Sequence, residues 1–534
     1  MNTWKTENRN EMMHGFFPGI GEREKFAFIC ALFGAIITHL YMFTNEIVNH
    51  DDVNRLLVGD TDEVKIQHGR WAGVIFDRVS GSMAGIPYII GVLSVVAIAG
   101  ACVVLAAILK TERKLTTLLI CLLVCTFPVA ANIFLYIYIA DIYFISMFLA
   151  MWGIWLLLRE EYSKNALGII LLTLSCGCYQ AFWCMGISVL FLFFVLEFCS
   201  DQSELKKLMK KALKCFVMAG ISLVLYLIIN KLVQTLTGFG ATTYQGLDSM
   251  GAFQNILDML KVVAYAYYEF FYFFYRKGYF VSSPAIVIIN VVLTVWVLVM
   301  LVQKSKEKQG RAGKWIILLF ILGMIPLMSN LISVASHNVT HVLMQYGFLL
   351  PYLMCIMLSE RKALSRNNGR KGSNLIVGIA YLFIAIIAYK GFITDNEVYF
   401  RQQLNYEATY SYTTRLLYRI EEFEGYEPDM QVAIINENPQ IKDHITIMLE
   451  NYPEEMGYFD YLNDMVGTEP HTFVKRANDI SDFCKHFHGY DLKLAETEKF
   501  AELAETKEFQ EMKTYPDKEG MKIIDGILVI KLPG

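Results

Sequence analysis

The sequence has few charged residues for its length. Asp, Glu, Lys and Arg make up 18% of its 534 residues, whereas 55% are hydrophobic. The 36 Phe and 30 Tyr residues add to this apolar character. The apolar residues gather into runs long enough to cross a hydrocarbon core of about 30 Å, which a soluble chain of this length would not contain. The sequence therefore predicts an integral membrane protein.

Features of several other protein classes are also missing. The eleven cysteines form no CxxC pair, so no disulfide framework or metal site is expected, and Cys176 and Cys178 are interpreted as small apolar packing residues. His337 and His341 are too isolated to indicate a metal site, and no cofactor is expected. The first 23 residues lack the order of a signal peptide, so the first hydrophobic segment is expected to remain as an anchor. No internal repeat is evident, which disfavours a secondary transporter.

The hydrophobic runs predict about eleven membrane-spanning helices. The stretch 165–199 accommodates two helices only if both are short and the chain turns near Tyr179 and Gln180. The predicted spans are 24–48, 87–109, 115–132, 136–158, 165–178, 181–199, 215–233, 284–302, 315–335, 342–359 and 374–393.

Lys and Arg set the predicted orientation, because cytoplasmic loops retain positive charge. Turns near residues 133, 179 and 338 contain no basic residue. The N-terminus is therefore expected in the cytoplasm and the C-terminus outside. Basic residues number 3, 2, 5, 5 and 5 in the connections 110–114, 159–164, 200–214, 303–314 and 360–373.

The charge distribution divides the chain into two predicted domains, a multi-spanning membrane domain at 1–393 and an extracytoplasmic domain at 394–534. The second contains 28 acidic and 14 basic residues, whereas the first contains 23 acidic and 33 basic residues. Strand-like runs at 432–435 and 527–531, separated by acidic helix-like stretches, predict a small α/β module. Its acidic surface argues against a nucleic-acid partner.

Asp51 and Asp52 directly follow the first predicted span. Adjacent carboxylates at a lipid boundary are costly to desolvate, so they indicate chemistry at the outer face. On a helix they would point about 100° apart, which suggests one catalytic and one supporting residue. A carboxylate there could accept a proton from a sugar hydroxyl, because desolvation raises its pKa. The nearby cation of Arg55 would lower the pKa again. The alternative is a solvated helix start with a local salt bridge.

Arg70 lies further along the same loop, between His68 and Trp71. Apolar residues at helical spacing over 71–79 predict a short helix on the membrane surface, with Trp71 at the interface. A guanidinium there could bind a lipid phosphate through two hydrogen bonds. The alternative is an arginine that reaches ordinary headgroups.

Polar residues also occur at the outer ends of later spans. Asp141 lies about one turn into the fourth span, close to Tyr138, and an ionisable group in a span is a functional hypothesis by default. Structural pairing of Asp141 with an arginine of the outer loops is the alternative. Tyr179 and Gln180 could bind sugar hydroxyls, or could simply hold two helices together.

With these residues in order, the sequence resembles the Gtr-type membrane glucosyltransferases, which decorate bacterial O-antigens and related cell-surface glycans. The resemblance covers nearly the whole length, and no single piece of it is specific. It rests on Asp51-Asp52, Gly69-Arg70-Trp71, Tyr138 to Asp141, Tyr179-Gln180, residues 405–420, Tyr515-Pro516 and residues 526–532.

The resemblance implies a GT-C-like architecture, in which a polyprenyl-phosphate sugar enters from the bilayer and is transferred to an outer glycan. It implies a catalytic acid in the first outer loop, which corresponds to Asp52 or Asp51. The leaving phosphate also needs a cation, which Arg70 with Arg55 would supply. The resemblance further implies a location in the inner (plasma) membrane of a bacterium, and a cytoplasmic-facing donor synthase and a flippase as partners, besides membrane lipid. A transporter or flippase, and a polymerase or ligase of lipid-linked glycans, remain alternatives.

Overall fold

Helices make up most of the described chain. The computed structural model describes residues 15–45, 53, 61–80, 86–200, 204–242, 254–276, 283–307, 313–364, 371–436 and 473–532. The first helices are α1 (Glu22–Thr44), α2 (Asp62–Gln67), α3 (Trp71–Ser80), α4 (Pro87–Leu109), α5 (Lys114–Cys125), α6 (Pro128–Phe134), α7 (Ala140–Leu157), α8 (Tyr162–Cys178) and α9 (Gln180–Phe198). They are followed by α10 (Leu205–Thr237), α11 (Ile256–Tyr275), α12 (Pro284–Glu307), α13 (Gly313–Ser329), α14 (Leu331–Ala335), α15 (Leu350–Leu364) and α16 (Lys371–Glu421).

Within these ranges, eight helices are long and apolar enough to cross a membrane, or nine if α5 and α6 form one broken span bent by 41°. The bend has a local cause, because Pro128 opens α6 and cannot continue the helix before it. The predicted count of eleven is not confirmed. Helices α8 and α13 have 17 residues each, which is short for a crossing that takes about 20 residues.

Most of the predicted segments nevertheless coincide with helices. The span predicted at 87–109 is α4 itself, and the break predicted near Tyr179 is confirmed, because α8 ends at Cys178 and α9 begins at Gln180. Tyr179 is extended at this break, with φ −160° and ψ 114°. An extended residue between two helices reverses the chain without a long loop.

Small side chains allow the spans to approach closely. Ala27, Ala31 and Ala35 of α1 are fully buried. The thiols of Cys121 and Cys125 reach the carbonyl oxygens of Ala27 and Ala31, at 3.5 Å and 3.4 Å. Small residues at helix contacts are typical of membrane bundles, and these cysteines therefore act in packing.

Helix α16 differs from the predicted final span at 374–393. It continues unbroken for 51 residues to Glu421, a length of roughly 76 Å at 1.5 Å per residue. The predicted domain boundary at residue 393 therefore lies inside a helix. The end of α16 contributes Tyr412, Leu416 and Ile420 to a second hydrophobic cluster, which is separate from the core of the bundle.

The second cluster surrounds a three-stranded sheet in the order β1-β3-β2, with β1 at Val432–Asn436, β2 at Met521–Ile524 and β3 at Ile527–Leu532. Strand β3 is parallel to β1 and antiparallel to β2. Asp525 and Gly526 both have positive φ in the β2–β3 turn, as a tight hairpin requires. Strands β1 and β3 lie where the sequence predicts them, and β2 was not predicted. Helices α17 (Phe473–Phe483), α18 (Thr497–Ala504) and α19 (Lys507–Glu511) complete this region.

Candidate active site

Arg70 is positioned by a close backbone approach between two helices. Gly69, between α2 and α3, has φ +71°, a conformation that favours glycine. The amide nitrogen of Gln180 donates to the carbonyl oxygen of His68 and to the hydroxyl of Tyr226, both at 2.9 Å. The start of α9 and the middle of α10 therefore hold the backbone that precedes Arg70. Gln180 acts here as a positioning residue.

The Arg70 side chain lies beside two stacked tyrosines. The rings of Tyr143 and Tyr179 are 3.9 Å apart between centroids and nearly parallel, at 11°. The guanidinium carbon of Arg70 is 5.4 Å from the Tyr143 centroid and 5.3 Å from the Tyr179 centroid. Both distances are within the range of a cation–π interaction. The structure thus brings Arg70 and Tyr179 together, as neighbours in one site.

Asp141 is fully buried in the first turn of α7. One of its carboxylate oxygens accepts a hydrogen bond from the Ile142 backbone N–H at 2.9 Å. A carboxylate is favoured at this end of a helix because the first N–H groups carry partial positive charge. Asp141 and Asp77 both lie close enough to the Cys178 thiol to act on it electrostatically.

Asp77 and Lys65 form a buried salt bridge that the sequence did not predict. Both side chains are almost completely shielded from solvent. A Cβ at Gly73 would contact Lys65 on one side and Ile142 on the other, so the pair lies next to the start of α7. Removing one member of such a pair leaves an uncompensated buried charge.

Trp71 corrects one prediction about the first outer loop. The helix predicted over 71–79 is present as α3, but Trp71 is only 8% exposed and its ring lies against Gly177 of α8. Its ring therefore packs between helices and is not exposed, as a residue facing lipid headgroups would be. The exposed apolar residues of α3 are Ile75 and Val79 instead.

Tyr138 and His68 are two further candidates. Tyr138 is buried in the 3-10 turn Ile137–Ile139, just before α7. His68 is half-buried at the end of α2, and its backbone carbonyl makes the contact with Gln180 described above. In the sequence, Tyr138 lies shortly before Asp141, and His68 lies shortly before Arg70.

Asp51, Asp52 and Arg55 lie outside the described residues. Val53, between them, is described and is 1% exposed. It clusters with Tyr406 of α16 and with Phe483, and Phe487 packs against the same group. Val53 thus packs against the long helix and the C-terminal region.

Helix α16 contributes buried polar residues that the sequence analysis missed. Asp395, Tyr399, Gln402 and Tyr406 follow one another at i, i+4, i+7 and i+11, which places them on one face. Neither carboxylate oxygen of the fully buried Asp395 has a hydrogen-bond partner among the described residues. The sequence analysis missed this face because it ended the last span at residue 393. The spacing itself is present in the sequence.

A series of aromatic side chains connects Arg70 with Asp395. Ring centroids of Tyr179 and Phe182 are 5.9 Å apart, and those of Phe182 and Tyr346 are 5.6 Å apart. Tyr346 in turn lies within electrostatic range of Asp395. The two charged groups therefore lie at the ends of one buried aromatic wall.

Across the described ranges, no group of three or more His, Cys, Asp or Glu side chains is arranged to hold a metal ion. His337 lies instead against Asp258, with 3.1 Å between Nε2 and Oδ2. This hydrogen bond holds the pKa of Asp258 below its usual range.

Gly69→Ala is expected to lower both the melting temperature and the activity. A side chain at φ +71° costs about 1–2 kcal/mol, and the new Cβ would overlap the Tyr226 hydroxyl. Gly220→Ala, in the same helix as Tyr226, is the control, because a Cβ there meets nothing within 4 Å. Thermal unfolding of both purified variants tests this. Equal melting temperatures would mean that the approach at Gly69 is not required.

This arrangement defines a helical membrane protein with buried charges gathered at the start of α7. The model of the family described as Glucosyl transferase GtrII matches residues 40–352, which is more than half of the chain. The chain therefore belongs to the GtrII glucosyl transferase family. The matched range includes Asp51, Asp52, Arg70 and Asp141, and it ends before α16. No curated protein and no solved structure gives a significant match.

Proposed function

We propose that the protein transfers a sugar, expected to be glucose, from a polyprenyl-phosphate donor to a glycan acceptor such as O-antigen at the outer face of the membrane. The observation that supports this most is the position of Arg70. Its guanidinium lies beside Tyr143 and Tyr179 at the start of α7, where Asp141 is also buried. A cation at the end of membrane-spanning helices suits a substrate whose phosphate lies at the membrane surface.

The proposed reaction is a single displacement at the anomeric carbon. The acceptor hydroxyl oxygen forms the new bond to this carbon while the bond to the phosphate oxygen breaks. The hydroxyl proton passes to a carboxylate, for which Asp52 is the first candidate and Asp51 the second. The polyprenyl phosphate leaves as an anion, stabilised by Arg70 with Arg55. One displacement inverts the anomeric configuration.

The buried polar residues around Arg70 suit the binding of a hydroxyl-rich substrate. We propose that the substrate is bound by Asp141, Tyr138, Tyr179, Gln180, Trp71 and His68. The carboxylate of Asp395 is a further candidate, because it has no hydrogen-bond partner in the part of the chain that the structure describes, and such buried polar groups are costly. Asp395 would extend the site along the aromatic wall.

The proposed orientation of the chain in the membrane follows from the basic connections between the helices. Residues 1–393 form the transferase domain of a bacterial inner-membrane protein with a cytoplasmic N-terminus, and 394–534 lie on the outer side. A cytoplasmic-facing synthase would load the sugar onto polyprenyl phosphate, and a flippase would deliver it to the outer leaflet. No nucleotide sugar is then needed at the site.

Sugar transfer by the purified protein in lipid vesicles tests this proposal. Labelled polyprenyl-phosphate glucose is expected to give labelled acceptor glycan, whereas labelled UDP-glucose is not. A protein that only moves the labelled donor across the vesicle membrane, without product, would be a flippase. Lengthening of a lipid-linked glycan without use of the monosaccharide donor would indicate a polymerase or ligase.

A further inference from the structure

A charged pocket lies at the opposite end of the helices from Arg70. Helix α7 begins beside Asp141 and ends at Leu157, a rise of roughly 27 Å for its 18 residues, which is close to the thickness of a hydrocarbon core. Next to that far end is a cavity of about 420 Å³. Its lining comes from the ends of α4, α7 and α9 and from the first half of α10.

Three basic segments that are far apart in the sequence meet at this pocket. Lys110 comes from the connection after α4, Arg159 from the connection after α7, and Lys211 from α10. Each belongs to a different one of the basic connections that set the predicted orientation. The fold thus gathers cations that the sequence distributes over about one hundred residues.

Aromatic rings hold these cations in place. The guanidinium carbon of Arg159 is 3.9 Å from the ring centroid of Trp155. The Nζ atoms of Lys110 and Lys211 are 5.2 Å and 6.0 Å from the Phe193 centroid. These are cation–π distances. A guanidinium is also the side chain best suited to phosphate, because its planar fork can form two parallel hydrogen bonds to one phosphate group.

Acidic residues also surround the pocket. Glu160 and Glu161 line it, and Lys164 pairs with Glu161 at 2.7 Å. Glu197 pairs with Lys110 at 3.0 Å and lies 4.0 Å from Arg361. Among the described residues, five basic side chains therefore lie around the cavity with three acidic ones: Lys110, Arg159, Lys164, Lys211 and Arg361 with Glu160, Glu161 and Glu197. Burial lowers the pKa of Arg159, and the nearby Glu161 raises it.

We propose that this pocket binds the phosphate headgroup of an anionic phospholipid, in the leaflet on the far side of the membrane from Arg70. A lipid is favoured over a soluble phosphate because apolar residues share the lining with the cations, among them Ala107, Ile108 and Leu158. Tryptophan and basic residues at helix ends are typical of the headgroup level. The bound lipid would connect α4, α7, α9 and α10, and its binding does not depend on sugar transfer.

Lipid binding by a matched pair of double variants tests this inference. Arg159→Gln with Lys211→Gln removes two charges from the pocket. Lys206→Gln with Lys207→Gln removes two charges from the exposed start of the same helix, α10. Native mass spectrometry would count phosphatidylglycerol and phosphatidylcholine bound to each purified protein, and thermal unfolding would be measured with each lipid and with inorganic phosphate.

Phosphatidylglycerol is expected to bind and stabilise the wild-type protein and the Lys206/Lys207 variant. Its apparent affinity should fall by about tenfold or more in the pocket variant, because each hydrogen bond to a charged group contributes about 1.5–3 kcal/mol. Arg159→Lys keeps the charge but loses the two-point contact, so it should fold normally and bind phosphatidylglycerol more weakly than the wild type.

Three results would overturn the inference. One is equal phosphatidylglycerol binding by the wild-type protein, the pocket variant and Arg159→Lys. Another is an equal loss of binding in the Lys206/Lys207 variant, which would show a general effect of charge. The third is equal stabilisation by inorganic phosphate at the same concentration, which would assign the pocket to a soluble anion.

Discussion

Asp52→Asn is expected to lower the rate of sugar transfer by about 10²–10⁴, the usual effect of losing a general base. Asparagine keeps the size of aspartate but cannot accept the proton of the acceptor hydroxyl. Asp52 is favoured over Asp51 because it is one residue further from the predicted edge of the bilayer. On a helix it would also be three residues from Arg55, a neighbouring position that would hold its carboxylate. Initial rates at saturating donor, with protein amounts equalised in membranes, measure the effect.

Asp51→Asn is the matched control, because it makes the same chemical change one residue away. It is expected to reduce transfer far less, as befits a supporting residue. Near-normal transfer by both variants, with normal expression, would exclude the first loop as the source of the base. Asp141 would then be the next candidate, followed by Asp395, because both are fully buried acidic residues.

The helices of the bundle could largely be predicted from the sequence, because hydrophobic runs and breaks are local signals. The run at 87–109 and the turn at Tyr179 are examples. The length of α16 could not be predicted in this way. Its hydrophobic run ends near residue 393 while the helix continues to Glu421, since the later residues are stabilised by packing against other parts of the chain.

The composition of the candidate site could be predicted only in part. Arg70, Asp141, Tyr179 and Gln180 are unusual residues for their positions, and the structure gathers them at one end of the bundle. Their neighbours arise from contacts between distant segments and leave no local pattern. The Lys65–Asp77 salt bridge, the Gln180–Tyr226 hydrogen bond and the stacked Tyr143 are of this kind. Trp71 was misplaced because amphipathic spacing does not tell a lipid surface from the side of another helix.

Arg70→Lys is expected to reduce donor use by about tenfold or more, although it keeps the positive charge. A lysine ammonium cannot make the two parallel hydrogen bonds of a guanidinium to one phosphate. The substitution also removes the planar guanidinium that lies near the rings of Tyr143 and Tyr179. A hydrogen bond to a charged group contributes about 1.5–3 kcal/mol, so its loss corresponds to a decrease in donor use by a factor of roughly 10–100. Rates at varied donor and fixed acceptor measure this change.

Arg78→Lys provides the control, on the helix α3 that directly follows Arg70. Arg78 is exposed and pairs with Asp62 at 2.9 Å on the surface, so its replacement should leave transfer unchanged, as surface salt bridges contribute little. The dependence on acceptor concentration should change little in either variant, because Arg70 is assigned to the donor phosphate. Wild-type donor kinetics in Arg70→Lys would restrict Arg70 to binding ordinary headgroups. An equal loss in donor and acceptor use would instead indicate that Arg70 holds the shape of the whole site.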